Sequence, residues 1–247
     1  MLYRIMFSFV FSASVIADGA PAKTVKVIEL FTSQGCYSCP PADKFLGELS
    51  QREEIITFSC HVTYWNYLGW KDTFSRPFCD RRQRQYQDVL VGGSKGVYTP
   101  QMVINGRYVG VGSQRSKIER LLTIDARQQA PVQRLVLRMD SRQLRVELPE
   151  LSNGGAQKLQ LFLLGTSGEH LLPIKTGENS GKHLPYFNPI EYTQHLGRWS
   201  GDAKTLNLPL VESQVVKDWL IVAQEWPLGA IVAAGKLSLS SRANVLK

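Results

Sequence analysis

The stretch Glu29–Leu30–Phe31–Thr32–Ser33–Gln34–Gly35–Cys36–Tyr37–Ser38–Cys39–Pro40–Pro41 decides how the rest of the chain is read. It closes an apolar, strand-like run from Val25 to Phe31, interrupted by Lys26 and Glu29. Gln34–Gly35 supplies a turn, and two cysteines three apart then stand directly before an amphipathic helical pattern. Pro40–Pro41 fit a helix start, where a missing N–H costs little. Ala42, Phe45, Leu46 and Leu49 recur at helical spacing, which buries one face and leaves Asp43, Lys44 and Glu48 towards water. A thiol in the first turn of such a helix lies near unpaired backbone N–H groups and the positive end of the helix dipole. Both favour a thiolate.

Upstream of this stretch, Arg4 is followed by an apolar run from Ile5 to Ile16 that ends in Val15–Ile16–Ala17. This grammar predicts a signal peptide over residues 1–20 and a periplasmic or secreted protein. The run is too short and too interrupted for a membrane span, and no later run is long enough for one. Disulfides persist in such a compartment. The chain of 247 residues holds four cysteines, too few for a disulfide-held miniprotein. Its formal charge is +8, but the basic residues are spread along the chain apart from Arg76, Arg81, Arg82 and Arg84. With no zinc finger, helix-turn-helix signal or basic-aromatic interleaving, nucleic acid is not an expected partner.

Downstream, Ile55–Val62 reads as a second strand. It runs into the densest polar-aromatic region of the chain, Cys60 to Asp72, with Tyr64, Trp65, Tyr67 and Trp70. Such a loop suits the border of a site, where rings exclude water and hold apolar substrate surface. Arg76–Leu90 is helical in pattern, with Cys79, Gln83, Tyr86 and Leu90 on one side and Arg81, Arg82 and Arg84 largely elsewhere. Gly92–Gly93 stops it. Asn105–Gly106 signals a hairpin joining Gln101–Ile104 to Arg107–Val111. Ser113 can cap a last helix bearing Ile118, Leu121, Leu122 and Ala126. The order strand, helix, strand, helix, strand, strand, helix predicts a mixed sheet with helices on both faces.

With Cys36–Tyr37–Ser38–Cys39 at a strand-to-helix junction and Thr99–Pro100 before the hairpin, residues 21–130 resemble the thioredoxin superfamily. The resemblance implies a cis Thr99–Pro100 bond lying against the dithiol. The chain is also similar to the bacterial DUF1223 family, whose function is unknown. That likeness rests on Val27 to Cys36, His61–Val62–Thr63–Tyr64–Trp65, Tyr67–Leu68–Gly69–Trp70–Lys71–Asp72, Tyr98–Thr99–Pro100–Gln101, and Leu196–Gly197 with Trp199 and Gly201. The chain departs from typical thioredoxins in having Gly35 before the first cysteine and Leu30 where they place a buried aspartate. Glu29, one residue away, points to the opposite strand face.

For thiol exchange, Cys36 is the exposed nucleophile and Cys39 the thiol that resolves the mixed disulfide. Pro100 shapes the substrate face, and Tyr37, Thr99, Tyr64, Trp65 and Trp70 are substrate-binding candidates. Tyr37 and Ser38 tune the thiolate only indirectly. His61 is the acid–base candidate, with Glu29 or Asp72 as partners, although Asp72 reads more simply as a surface or turn residue. Cys60 and Cys79 admit a structural disulfide, two buried thiols or a redox relay. The same Cys-x-x-Cys spacing serves metal sites, so Cys36, Cys39, Cys60 and His61 form an alternative zinc or copper ligand set. The leading reading requires no cofactor and takes protein thiols or disulfides as partners.

Pro131 changes the rhythm. Val132–Met139, Leu144–Leu148, Leu159–Leu164, Thr205–Leu210, Leu220–Ala223 and Gly229–Leu239 are short strand candidates, which predicts a β-rich, sandwich-like domain over 131–247 packed on the first. Asn153–Gly154–Gly155 and Gly177–Gly181 read as loops, the latter within an exposed connector running to His183. Tyr186–Phe187–Asn188–Pro189 and Trp199–Ser200–Gly201 are candidates to pack back over the first domain. The chain is therefore expected to be α/β, thioredoxin-like, with an appended β-rich C-terminal domain. The function expected is an exported thiol–disulfide oxidoreductase. The alternatives are a non-catalytic interaction or carrier protein on the same scaffold, and a soft-metal binding protein.

Overall fold

Strand β1 (Thr24–Thr32) is buried along almost its whole length. Its near-continuous apolar run is what a strand covered on both faces needs. It pairs in parallel with β2 (Ile55–His61) and antiparallel with β3 (Gln101–Ile104), which turns back into β4 (Tyr108–Val111). The expected hairpin turn is present, with Asn105 and Gly106 both in the left-handed region at φ 49° and 64°. Two-residue turns of this hand require that conformation. Helix α1 (Pro40–Ser50) connects β1 to β2, α2 (Pro77–Tyr86) follows β2, and α3 (Arg115–Gln128) follows β4. The structure, a computed structural model, describes residues 24–90, 96–128, 130–140, 143–151, 158–211 and 213–239. The expected signal peptide, the Gly92–Gly93 stop and the Asn153–Gly155 loop lie outside those residues.

Side-chain alternation along β1 and β2 sorts two cores. Ile28 and Leu30 meet Ala42, Phe45, Leu46 and Leu49 of α1 and Ile118 of α3. On the opposite face Val27, Phe31, Phe58 and Cys60 meet Cys79 and Tyr86 of α2. Glu29 also points to that second face, where its Oε1 accepts a 2.7 Å hydrogen bond from Arg82 Nε. The buried Arg82 donates as well to Tyr86 Oη and Gln224 Oε1, so it is not on the solvated side that the helical pattern predicted. A guanidinium paired through Nε and Nη2 with a carboxylate and two neutral acceptors is one of the few charges an interior tolerates.

The C-terminal strands continue the same sheet. β5 (Val132–Arg134) pairs with Thr24–Val25 of β1 and with β14 (Ile231–Ser238). Beyond β14 follow β13 (Asp218–Glu225), β8 (Leu159–Thr166) and β11 (Ile190–Trp199). A second sheet of β6 (Val136–Asp140), β7 (Gln143–Leu148) and β12 (Lys204–Pro209) packs across it through Leu137, Leu144, Val146, Leu163, Trp199, Trp219 and Ile221. This gives the sandwich-like region the short strands predicted. The single strand expected over Val132–Met139 is split, because β5 joins the large sheet whereas β6 joins the small one. Trp199 belongs to this core and does not fold back over the thioredoxin-like half. Among the described residues no helix is long and apolar enough to cross a membrane.

One excursion returns to the first half. The hairpin β9 (Glu169–Pro173) and β10 (His183–Phe187) lies against α1 and the outer edge of β2. Ser59 N–H donates to the Asn188 carbonyl, Ser59 Oγ to the Phe187 carbonyl, and Asn188 Nδ2 to Thr57 Oγ1. Phe187 lies so close to α1 that a Cβ at Gly47 would come within 2.4 Å of its ring. The missing side chain at position 47 is therefore what lets the hairpin dock.

Candidate functional site

The sequence after β1 turns at Gln34–Gly35 and enters α1 through Cys36–Tyr37–Ser38–Cys39. Cys36 and Cys39 are joined as a disulfide, with Cα atoms 5.4 Å apart. Pro40 and Pro41 offer no N–H, and the Ala42 and Asp43 N–H groups are already donated to the Cys39 carbonyl. The open N–H groups expected at this helix start are thus largely missing. Ser38 Oγ lies 3.5 Å from Cys36 Sγ instead, where its hydroxyl can donate to that sulfur. The contact is direct, where the sequence suggested only an indirect influence.

The Thr99–Pro100 bond is cis, as the resemblance implied. Pro100, Ala42 and Leu30 all converge on Gly112, where a Cβ would lie 3.0–3.5 Å from each. Pro100 therefore stands beside the first turn of α1. Trp65 ties the same surface together: it packs on Gly35 and its indole N–H donates to Thr99 Oγ1 at 2.8 Å. Tyr64 Oη donates to Gln83 Oε1, and Trp70 Nε1 donates to Gln34 Oε1 at 2.8 Å. The aromatic loop thus borders the disulfide, with Tyr37 exposed beside it.

Cys36 is not exposed. Both sulfur-bearing residues are fully buried. Their cover is the connector between β9 and β10, which the polar, glycine-rich sequence around Gly177–His183 predicted as a free surface loop. Asn179 Nδ2 donates to the carbonyls of Gln34 and Cys36, both at 3.0 Å. Tyr37 N–H donates to Glu178 Oε2, Thr176 Oγ1 to the Gly69 carbonyl, and the Lys182 ammonium lies 4.5 Å from the centre of the Tyr37 ring. Local sequence cannot announce these contacts, since the donors and acceptors are more than a hundred residues apart.

Against the Gln34 turn that leads into the disulfide lies a buried polar cluster. His61 closes β2 opposite Thr32 of β1, and its Nδ1 is 2.7 Å from Asp72 Oδ2. Asp72 also accepts the backbone N–H groups of Gln34 and Phe74, both at 2.8 Å. It is buried, not a surface or turn residue, because these three partners satisfy its carboxylate. Burial opposes the charge on His61, but the charge and hydrogen bond of Asp72, with the charge of Asp43, outweigh it and raise the imidazole pKa. Asp43 is also buried, although the amphipathic pattern of α1 turned it to water. Docking of β10 converts that side of the helix into interior. Burial pushes the Asp43 pKa up to about 7, against the lowering effects of His61 and of the nearby Thr32 hydroxyl. Asp43 is the site residue that sequence reasoning missed; a lone aspartate in a first helical turn reads as a solvated residue.

Cys60 and Cys79 form a second disulfide, with Cα atoms 5.2 Å apart, in the core on the α2 side. The two are paired, not separate buried thiols. With both disulfides closed, no free cysteine thiol remains among the described residues, so Cys36, Cys39 and Cys60 of the alternative metal set with His61 present no thiolate in this state. Nor do the described residues contain three or more His, Cys, Asp or Glu grouped to hold a metal ion.

A family model described as a protein of unknown function, DUF1223, matches residues 27–224. The chain belongs to the DUF1223 family. The protein AGR_C_4864 from Agrobacterium tumefaciens, known from an X-ray crystal structure, is similar to this DUF1223 chain at 30% identity and a TM-score of 0.74, over 87% of this chain and 95% of the other. HBP35 of Porphyromonas gingivalis is similar in fold, with a TM-score of 0.62 at 14% identity, over 88% of this chain and 76% of the other. Comparison with curated proteins finds no match. This DUF1223 chain has a mixed α/β core sheet typical of thioredoxin-like folds, with further β-sheets in a distinct C-terminal region.

Proposed function

We infer that this DUF1223 protein is an exported thiol–disulfide oxidoreductase acting through Cys36 and Cys39 on the thiols or disulfides of other proteins. The observation that carries the reading is the separation of its two disulfides. Cys60–Cys79 is sealed in the α2-side core, whereas Cys36–Cys39 stands at a strand-to-helix junction beside Thr99–Pro100. Ser38 is placed to favour a Cys36 thiolate, and the cover over that sulfur is a connector held by a few polar contacts. Lifting residues 174–182 would open a face lined by Tyr37, Trp65, Trp70 and Thr99 to a substrate chain. An oxidising compartment, as the N-terminal sequence predicts, keeps both pairs closed at rest.

The test is trapping with Cys39→Ala, which leaves a substrate held on Cys36 as a mixed disulfide. Specific partners recovered on this variant, and absent with Cys36→Ala/Cys39→Ala, support the reading. Equal recovery on both variants overturns it. The full burial of Cys36 favours a second reading, a non-catalytic interaction protein on a redox scaffold. That reading expects partner binding unchanged when Cys36 is replaced.

A further inference from the structure

Resting on the oxidoreductase reading, the buried cluster has a specific part to play. Opening or closing a disulfide moves protons as well as electrons. Cys39 is fully buried, so its proton must pass to or from an interior group. Asp43 lies one helical turn after Cys39, on the same face of α1, and helical side chains lean back towards the preceding turn. Two further groups around this carboxyl have buried polar atoms with no hydrogen-bond partner: His61 Nε2 and Tyr186 Oη. Each orphaned polar atom in an interior costs stability. Two beside one buried carboxyl, itself a helical turn from Cys39, form an arrangement that folding alone does not require.

We propose that the Asp43 carboxyl, coupled to His61, is the proton acceptor and donor for Cys39 as the Cys36–Cys39 pair closes and opens. In the closing direction, the Cys36 thiolate attacks a substrate disulfide, forms a bond to one substrate sulfur and releases the other as a thiolate. Cys39 then passes its proton to the Asp43 carboxylate. Its thiolate attacks Cys36 Sγ, closes the Cys36–Cys39 bond and expels the second substrate thiolate. The dithiol loses two electrons, and the substrate disulfide gains them. Read backwards, the same steps oxidise a substrate dithiol, and Asp43 returns the proton.

The surroundings of Asp43 suit this role. Its titratable neighbours are His61 at the end of β2, Asp72 in the following loop and Tyr186 of β10. Glu191 of β11 acts on it through His61. Burial, together with the charges of Asp43 and Asp72, keeps the Tyr186 phenol protonated, so it does not compete for the proton. His61, oriented by Asp72, offsets the carboxylate charge as it forms. The carboxyl titrates near neutrality, where it can both take and return a proton. His61 and Asp72 are positioning residues in this scheme.

The experiment uses the reduced full chain and, as probe, the symmetrical disulfide of nitrothiobenzoate, whose thiolate is coloured. The first equivalent of colour reports attack by Cys36; the second reports resolution by Cys39. In Asp43→Asn the first release is expected at the parental rate, and the second about ten- to a hundred-fold slower at neutral pH, the low end of general acid–base contributions. The deficit should shrink as pH rises towards 9 and Cys39 ionises unaided. His61→Gln, an independent variant of the same cluster, should show a smaller deficit in the same step. A second release in Asp43→Asn that matches the parent from pH 5 to 9 overturns the relay. Absence of the first release in the parent, and in Cys39→Ala, instead overturns the oxidoreductase reading on which the relay rests.

Discussion

Replacing Asn179 with alanine should unlatch the cover over Cys36 without unfolding the protein. The wild-type amide donates two hydrogen bonds, each 3.0 Å, to carbonyls on either side of the turn that carries Cys36. A hydrogen bond of this kind contributes about 0.5–1.5 kcal/mol net, so losing both weakens the closed state by about 2 kcal/mol. With every 1.4 kcal/mol worth tenfold, the open fraction rises about thirty-fold. Lys182 loses its 2.9 Å contact to Asn179 Oδ1 as well, which works in the same direction. The assay is the rate at which a small phosphine reduces Cys36–Cys39, followed by alkylation of the freed thiols. That rate is proportional to the open fraction when opening and closing are fast. Cys60–Cys79 is the internal control, since it is buried in a different core and its reduction reports opening of the α2 side. Ser180→Ala, which removes only a bond to the Lys175 carbonyl within the connector, should leave both rates near wild type. Two results would refute the reasoning. One is an Asn179→Ala rate within two-fold of wild type; the other is an equal acceleration of both disulfides.

Three further outcomes are expected. Gly47→Ala drives a methyl into the Phe187 ring; overpacking of this kind costs about 1–3 kcal/mol. Thermal melts should show that loss, and phosphine reduction of Cys36–Cys39 should speed up as the hairpin shifts. Asp43→Asn should stabilise the protein at high pH. The folded-state pKa of about 7 lies above the ordinary 3.8, so the carboxyl costs nothing below pH 3.8. Its cost then grows as pH rises to about 7 and is complete above that value. At 1.36 kcal/mol per unit this amounts to about 4 kcal/mol at pH 8 and close to zero at pH 4, measurable by urea unfolding at the two pH values. Replacing Cys60 and Cys79 together by alanine should cost about 3 kcal/mol, as expected for cross-linking residues 19 apart. Disulfide exchange at Cys36–Cys39 should persist, and its loss in a variant that still folds would favour the redox-relay role.

Local pattern reached some parts of this site and not others, for physical reasons. Cys36, Cys39, Thr99 and Pro100 stand next to turns and element ends that short-range rules describe well. Trp65 and Trp70 were legible as a border because a cluster of rings beside a strand end must pack against something. Asp43, Asp72 and Arg82 were misplaced. Each is polar, each occupies a position solvated by helical or turn logic, and each is buried by an element distant in sequence. Asp43 is enclosed by β10, Asp72 by the Gln34 turn, and Arg82 by Glu29 and Gln224. The β9–β10 connector failed in the same way, since glycine and polar residues describe a loop equally well over solvent or over a disulfide.

By itself, the sequence determined the order of strands and helices in the first half, the Asn105–Gly106 turn, the dithiol at the head of α1 and the short-stranded second half. These depend on backbone propensity and on hydrophobic period, which act over a few residues. The tertiary structure alone decided that the two halves share one sheet, that Cys60 bonds Cys79, and that the stretch from Glu29 to Pro41 ends in a covered disulfide. Those outcomes depend on which surfaces remain to be buried once each element has formed. A residue such as Asn179 acquires its meaning only when the chain between it and Cys36 has folded.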